Sequence, residues 1–368
     1  MARPAPFVGI LSDPYGGATR VGCFDSLSLR ATAAPVFIGE FHDAWSASPD
    51  GTRVALGISA PGSGTRIGVR IVNLARWATE RDVETGIAAE AVAWLTDRRL
   101  VAALQRGGIV LIDPVTGGVV RRWAGWAALD AVSTRTRRRF VLLEPGGQTR
   151  RLAAVDKTGR LRSVSLRLPL QSRHSRLARP ALVADPVREH AYVLTGGRVV
   201  VDVDLQRMRA RRRLLQPALE QGASGVRFPV RGGLWLGGGR LAVSGYDAVP
   251  GRRLRLGTYP TGLSTVDTET WNVDVVDFAG TGLALAPGRL LAYGERGLRG
   301  YSRAGRRVFE VLRKDMVWSV GAAGRLAYAV TPTATHVIDT RSGRIRRTIS
   351  RPRELSGVIA RRCPTGSG

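Results

Sequence analysis

Short apolar runs separated by turn residues recur along the whole chain. Two of them, residues 198–204 and 240–244, lie next to glycines, and the first is rich in valine. Short, valine-rich runs bounded by turn residues are typical of buried β-strands. No stretch shows a convincing helical period of about 3.6 residues, so the pattern predicts an all-β fold.

One strand–turn–strand unit appears repeatedly. Residues 110–122 and 336–347 both read as a β-branched strand, an Asp-led turn that contains Gly, and a second strand ending in arginines. Weaker copies follow roughly every 35–60 residues, which indicates a repeat architecture. We therefore expect a β-propeller of four-stranded antiparallel blades that forms a single domain over residues 1–368.

The turns predict how many blades there are. Seven turns of one kind join the first and second strands of a blade, the first of them at residues 48–53. A second kind, led by Asp or Asn, joins the third and fourth strands, and its leading side chain accepts N–H bonds from the turn. Seven copies are led by Asp25, Asn73, Asp113, Asp156, Asp204, Asp267 and Asp339. An eighth copy, at residues 301–305, departs from the Asp-led pattern.

There are eight turns of the second kind and seven of the first, which indicates an incomplete repeat at the chain ends. Seven complete repeats span about 41–350, and residues 6–40 with 355–360 then form a closing blade. We expect eight blades, one split between the N- and C-termini. The alternative is seven blades with extra N-terminal strands.

Units such as residues 111–120 and 337–345 carry a family resemblance. They are similar to the bacterial propellers with WD-like or YVTN-like repeats, although the Trp-Asp dipeptide of the WD class is missing. The resemblance covers nearly the whole chain and implies the propeller fold. Members of this class are binding platforms, sensors and sometimes enzymes, so it implies no reaction.

The charge of the chain is strongly positive. Its 56 Lys and Arg against 29 Asp and Glu give a net charge of +27, and Lys157 and Lys314 are the two lysines. Such a balance suits a polyanion partner. A genome rich in G and C also favours arginine, and arginines on the outermost strands prevent edge-to-edge pairing. The positive charge is therefore explained either by a polyanion partner or by genome composition together with protection of the strand edges.

Two cysteines and the N-terminus bear on the compartment. Cys23 and Cys363 lie near the chain ends and exclude a CxxC motif or a cysteine metal cluster. They are either separate thiols or a bond across the closing blade, which would argue for an oxidising compartment. The N-terminal residues show no signal peptide and no apolar run of about 20 residues spans a bilayer. The default expectation is a cytoplasmic protein, or a secreted one if the start site is misassigned.

Four long connections predict where ligands bind. Residues 59–66, 168–179, 216–232 and 247–262 leave the strands on one side, and long loops in compact folds tend to be functional. Arginines near aromatic rings suit phosphate or carboxylate groups. The predicted loop-face residues are Arg173, His174, Arg176, Arg179, Arg227, Arg231, Arg252, Arg253, Arg255 and Tyr259. The alternative is a solvated basic surface.

A second predicted constellation precedes the first strands of the blades, around the axial mouth. Its members are His42, Asp43, Glu90, Asp130, Thr281 and Asp315. Mixed polar groups around a channel could hold a metal or polar ligand, or only water.

No catalytic motif accompanies these residues. The chain lacks a GxSxG elbow, a phosphate-binding P-loop and an HExxH motif. We predict no catalytic residue, metal or cofactor, and a non-catalytic binding or scaffold propeller that presents its Arg-rich loop face to a protein or an anionic ligand. One alternative is a metal-dependent, lactonase-like hydrolase at the axial mouth. Another is a charge-driven binder of polyanions or nucleic acid.

Overall fold

The structure is a computed structural model. It describes residues 4–15, 17–59, 68–105, 108–126, 130–133, 139–144, 149–168, 179–219, 228–250, 256–360 and 363. Within this described part every regular element is a β-strand. It contains no helical segment with the length and apolar character needed to traverse a bilayer.

The strands are short and follow one another closely. The first fourteen are β1 (Phe7–Asp13), β2 (Gly17–Phe24), β3 (Val36–Ala47), β4 (Arg53–Ser59), β5 (Gly68–Asn73), β6 (Ala78–Glu84), β7 (Ala89–Thr96), β8 (Arg99–Leu104), β9 (Gly108–Ile112), β10 (Val119–Trp123), β11 (Asp130–Ser133), β12 (Phe140–Leu143), β13 (Thr149–Val155) and β14 (Leu161–Arg167). The others are β15 (Ala181–Asp185), β16 (His190–Leu194), β17 (Gly197–Asp204), β18 (Arg209–Leu219), β19 (Phe228–Gly237), β20 (Arg240–Pro250), β21 (Leu256–Asp267), β22 (Val273–Asp277), β23 (Gly282–Ala286), β24 (Arg289–Gly294), β25 (Gly297–Ser302), β26 (Arg307–Val311), β27 (Ser319–Ala323), β28 (Leu326–Val330), β29 (Thr335–Asp339), β30 (Ile345–Ile349) and β31 (Glu354–Ala360).

These strands form eight four-stranded antiparallel blades, so the chain is an eight-bladed β-propeller. It divides into two compact units of four blades each. The first comprises Met1–Ala128, Lys157–Gly159 and Trp318–Gly368, and the second comprises Leu129–Asp156 and Arg160–Val317. The expectation of a single domain stays a prediction.

The closing blade joins the two ends of the chain. Its strand order is β31, β1, β2 and the first half of β3, in which Val36 pairs with Val21. The second half of β3 pairs with β4 and begins the next blade. The prediction of eight blades with one split between the termini is confirmed.

Apolar residues alternate along the closing blade and fill both of its faces. Val8 and Ile10 belong to a buried cluster with Val54 of the next blade. Phe7 and Leu11 belong to another, with residues of the last blade, β27–β30. Each fully buried side chain of this size stabilises the fold by about 1.5–3 kcal/mol. The closing blade therefore packs against a neighbour on either side.

A disulfide bond also joins the ends of the chain. Cys23 on β2 is bonded to Cys363, and their Cα atoms are 5.8 Å apart. Of the two possibilities that the sequence leaves open, the structure shows the bonded pair.

The Asp-led turns have the structural role expected of them. Asp204 accepts the N–H groups of Gln206 and Arg207 at 2.8 and 2.9 Å. The Asp339 turn likewise uses the N–H of Arg341, and its Gly343 has a φ of 74°, a conformation that glycine adopts without steric cost. The leading Asp thus defines both of these turns between the third and fourth strands, and a glycine completes the second.

Asp339 predicts a component of acid sensitivity. Burial by itself raises the pKa of Asp339, but hydrogen bonds from Arg346 and Arg325 outweigh it and lower the pKa to about 2. A folded-state pKa below the ordinary value of 3.8 stabilises the fold above about pH 4, and the contribution disappears as the pH falls toward 2. We expect Asp339→Asn to lower the free energy of unfolding by about 2 kcal/mol at neutral pH.

Urea unfolding near neutral pH and near pH 2 measures this contribution. The variant should lose less stability on acidification than the natural protein does. The matched control is Asp274→Asn, since the Asp274 carboxylate is 75% exposed. Equal acid sensitivity of Asp339→Asn and the natural protein would contradict the prediction.

Candidate functional site

A long β-hairpin replaces one of the predicted loops. Strands β20 and β21 pair from Arg240 opposite Asp267 as far as Pro250 opposite Leu256. We call residues 245–250 and 256–262 the hairpin arm. The interpretation of 247–262 as an irregular loop is wrong, because most of this segment is paired strand.

Glycines and prolines in the arm concealed this strand character. The register shifts between Gly245 and Tyr246, and Gly262 has a φ of 71°. An added Cβ at Gly262 would lie 1.9 Å from the carbonyl oxygen of Asp277, so the outer strand approaches the arm there more closely than a side chain allows. Glycine and proline weaken strand propensity, and here they accompany a bulge and this close approach.

Arg231 of the predicted loop face is buried within its blade. Its Nη2 lies 2.6 Å from Oδ1 of Asp247, and the two side chains are 2% and 0% exposed. Its Nη1 donates to the carbonyl oxygen of Tyr246 at 2.7 Å. The guanidinium is therefore engaged inside the protein at the base of the arm.

Two other predicted loop-face residues are exposed. The N–H of Arg179 donates to the carbonyl oxygen of Pro229 at 2.8 Å, which ties this residue to β19. Tyr259 lies on β21 in the arm and is 46% exposed. The remaining predicted residues lie outside the described part: Arg173, His174, Arg176, Arg227, Arg252, Arg253 and Arg255.

The predicted axial residues are only partly described. Glu90 on β7 and Asp315 before β27 are exposed. The hydroxyl of Thr281 donates to the carbonyl oxygen of Tyr293 at 3.3 Å. The side chains of His42, Asp43 and Asp130 lie outside those described. Among the described side chains, no three His, Cys, Asp or Glu residues lie close enough together to hold a metal ion.

A cavity of about 490 Å³ lies beside the base of the arm. We call it the Phe278 cavity. Its lining includes Phe278, which is 75% exposed, and the exposed residues Arg296 and Arg307. Large exposed aromatic side chains next to arginines are characteristic of interaction surfaces.

A buried carboxylate forms one wall of this cavity. Both oxygens of Asp277 accept from Nη1 of Arg299, at 2.7 and 2.6 Å, and Oδ2 also accepts from the Tyr301 hydroxyl. Burial by itself raises the pKa of Asp277, but the bonds from Arg299, Tyr301 and the N–H of Ala279 outweigh it and hold the pKa below its ordinary value. Burial, together with the bond to Asp277, raises the pKa of the Tyr301 hydroxyl. This carboxylate is fully engaged and ionised.

The second carboxylate of the lining is surrounded by arginines. Glu310 lies 3.3 Å from Nε of Arg299, 3.6 Å from Nη1 of Arg307 and 3.3 Å from Nη2 of Arg313. The lining arginines Arg296, Arg299 and Arg307 outnumber the two carboxylates by one, so the cavity is positively charged.

Sequence reasoning missed the Phe278 cavity. The departing turn at residues 301–305 was a signal, because Ser302 stands there where the other repeats have Asp or Asn, and Tyr301 directly precedes it. The contact between Tyr301 and Asp277 joins neighbouring blades, however, and the repeat pattern does not reveal such pairs.

Comparison with solved structures shows the same fold. The structure of the dihydro-heme d1 dehydrogenase NirN in complex with DHE aligns with 97% of this chain, and the alignment covers 77% of the NirN chain. Its TM-score is 0.64 and the sequence identity is 15%. Sqt1 of Saccharomyces cerevisiae matches 87% of each chain with a TM-score of 0.55 at 11% identity. Both are β-propeller proteins. No protein-family model and no curated sequence matches the chain.

Proposed function

We propose that this chain is a non-catalytic binding propeller whose arginine-rich surface recognises an acidic segment of a partner protein. The observation that carries the proposal is the Phe278 cavity at the base of the hairpin arm. It combines a largely exposed aromatic ring with a surplus of guanidinium groups. The propeller fold, shared with the solved structures above, supports a binding platform in general terms.

The chemistry of the surface favours acidic side chains as ligands. Phe, Tyr and Arg are enriched at the centres of protein interfaces, where they provide most of the binding energy. Tyr259 and Phe278 supply exposed aromatic area, and Arg296 supplies a guanidinium. Arg252, Arg253 and Arg255, in the segment that joins the two strands of the arm, add three further charges. Guanidinium groups pair with carboxylates through two parallel hydrogen bonds.

The disulfide adds a proposal about location. Disulfide bonds persist in oxidising compartments and are rare where thiols are kept reduced. Because Cys23 and Cys363 are bonded, we propose that the protein works in an oxidising compartment.

Poly-L-glutamate, a model acidic chain, tests the proposed surface. We expect the protein to bind it in a salt-dependent manner, and both Arg252→Ser/Arg253→Ser/Arg255→Ser and Phe278→Ala to weaken binding by about tenfold. Fluorescence anisotropy of a labelled polymer measures the Kd. The control is Arg121→Ser/Arg122→Ser/Arg347→Ser, which removes the same charge from exposed positions on β10 and β30.

The controls separate the competing functions. Equal weakening by both triple variants would mean that net charge alone drives binding, which would overturn the proposal. Tighter binding of duplex DNA than of poly-L-glutamate would favour the nucleic-acid alternative instead.

A further inference from the structure

A second basic cavity lies in the closing blade, in the other compact unit. Its volume is about 250 Å³. Its lining residues come from β1, from β2 and the turn after it, and from the segment that precedes β31. They are Leu11, Ser12, Asp13, Arg20, Phe24, Ala31, Arg351, Pro352 and Arg353.

Arg20 occupies a position where the strand pattern calls for an apolar residue. It pairs directly with Leu11, so the two side chains share a face of the sheet. That face packs on the last blade through Phe7, Leu11 and Phe24. A charged group on a packed face is costly unless it has a partner.

The Arg20 guanidinium has an unused donor. Its Nε is buried and has no hydrogen-bond partner, and its Cζ lies 5.0 Å from the centre of the Phe37 ring. Unsatisfied buried donors are rare in folded proteins and call for a specific explanation. A bound acceptor in the adjoining cavity provides one.

Two more arginines face the same space. Arg353 is held by its N–H, which donates to Oγ1 of Thr335 at 2.7 Å, and by its Nη1, which donates to the carbonyl oxygen of Leu29 at 3.1 Å. Burial lowers the pKa of Arg353, and the positive charges of Arg20 and Arg351 lower it further. Among the described residues, no carboxylate forms an ion pair with any of these three arginines.

We propose that this cavity binds a small dianionic oxyanion of the phosphate or phosphate-monoester class. The three guanidinium groups of the lining carry three positive charges and Asp13 carries one negative charge, which leaves two for the ligand to neutralise. Guanidinium donors match the geometry of phosphate oxygens. Leu11, Phe24 and Pro352 provide apolar walls for a small organic substituent.

The ligand would connect the two ends of the chain. Arg20 lies on the N-terminal strand β2, and Arg351 and Arg353 precede the C-terminal strand β31. An anion held between them binds the folded state and not the unfolded chain, so it should raise the unfolding midpoint.

Calorimetric titration tests this inference with inorganic phosphate and phenyl phosphate at constant ionic strength. We expect saturable binding with a millimolar or lower Kd. Arg351→Gln, at an exposed position, should weaken it at least tenfold, since hydrogen bonds to charged groups are the strong ones. Arg20→Met should do the same. The control Arg347→Gln removes one exposed charge from β30 and should leave binding unchanged.

The outcomes are distinct. Tighter binding of phenyl phosphate identifies a monoester site, and equal binding identifies a site for phosphate itself. Absence of saturable binding up to about 10 mM phosphate would overturn the inference. Unchanged binding by Arg351→Gln, with a natural circular dichroism spectrum, would also overturn it. Neither result bears on the Phe278 cavity, whose residues are different.

Discussion

Replacing Cys23 and Cys363 by serine is expected to lower the free energy of unfolding by about 4 kcal/mol. The bond joins residues that are 340 positions apart. Opening so long a loop increases the conformational entropy of the unfolded chain, which is the main way in which a disulfide stabilises a protein in the chain-entropy model. It also frees the segment after β31, which the bond attaches to β2.

Urea unfolding of the natural protein, with and without a reductant, measures the effect. The reduced natural protein should match the double serine variant, and the reductant should not change the unfolding of that variant. Two free thiols titrated in the folded, unreduced protein would contradict the pairing. Equal stability of all samples would contradict its predicted contribution.

Asp247→Ala is expected to lower the free energy of unfolding by about 4 kcal/mol, because it removes the carboxylate that pairs with the buried Arg231 guanidinium. Removal of one partner from a buried pair costs far more than the pair itself contributes. Thermal or urea unfolding measures the loss. Asp274→Ala is the exposed counterpart, since Asp274 pairs with Arg240 at the surface, and it should cost less than about 1 kcal/mol.

Replacing both members of the buried pair distinguishes packing from ligand binding. Arg231→Met/Asp247→Leu keeps the volume and removes both charges, so it should restore most of the stability lost by Asp247→Ala. If Asp247→Ala were nearly neutral for stability but weakened poly-L-glutamate binding, Arg231 would be a ligand contact and our account of this pair would be wrong.

The sequence predicted the fold well because its signals are local. The Asp204 turn, for example, is specified by a carboxylate and two N–H groups that closely follow it. Comparing the numbers of the two kinds of turn was then enough to predict the split blade. The hairpin arm was missed because Gly245, Pro250 and Gly262 suppress the strand pattern at positions where tertiary contacts set the backbone.

The sites were harder to predict because they depend on contacts between distant residues. Arg20 and Arg353 are brought together by the pairing of β1 with β31, and no local pattern indicates that they share a cavity. Arg231 matched the expected residue type, but its burial follows from the register of β19 against β20. The composition shows that arginine is abundant. It does not show which arginines form ion pairs with carboxylates in the folded protein.

The split closing blade also sets an order for biosynthesis. Strand β1 leaves the ribosome more than three hundred residues before its partner β31. At about 5–20 residues per second, the apolar edge of β1 waits on the order of half a minute for that partner. The nascent chain therefore carries an uncovered strand throughout that interval, and a chaperone that shields Phe7 and Val8 would act then.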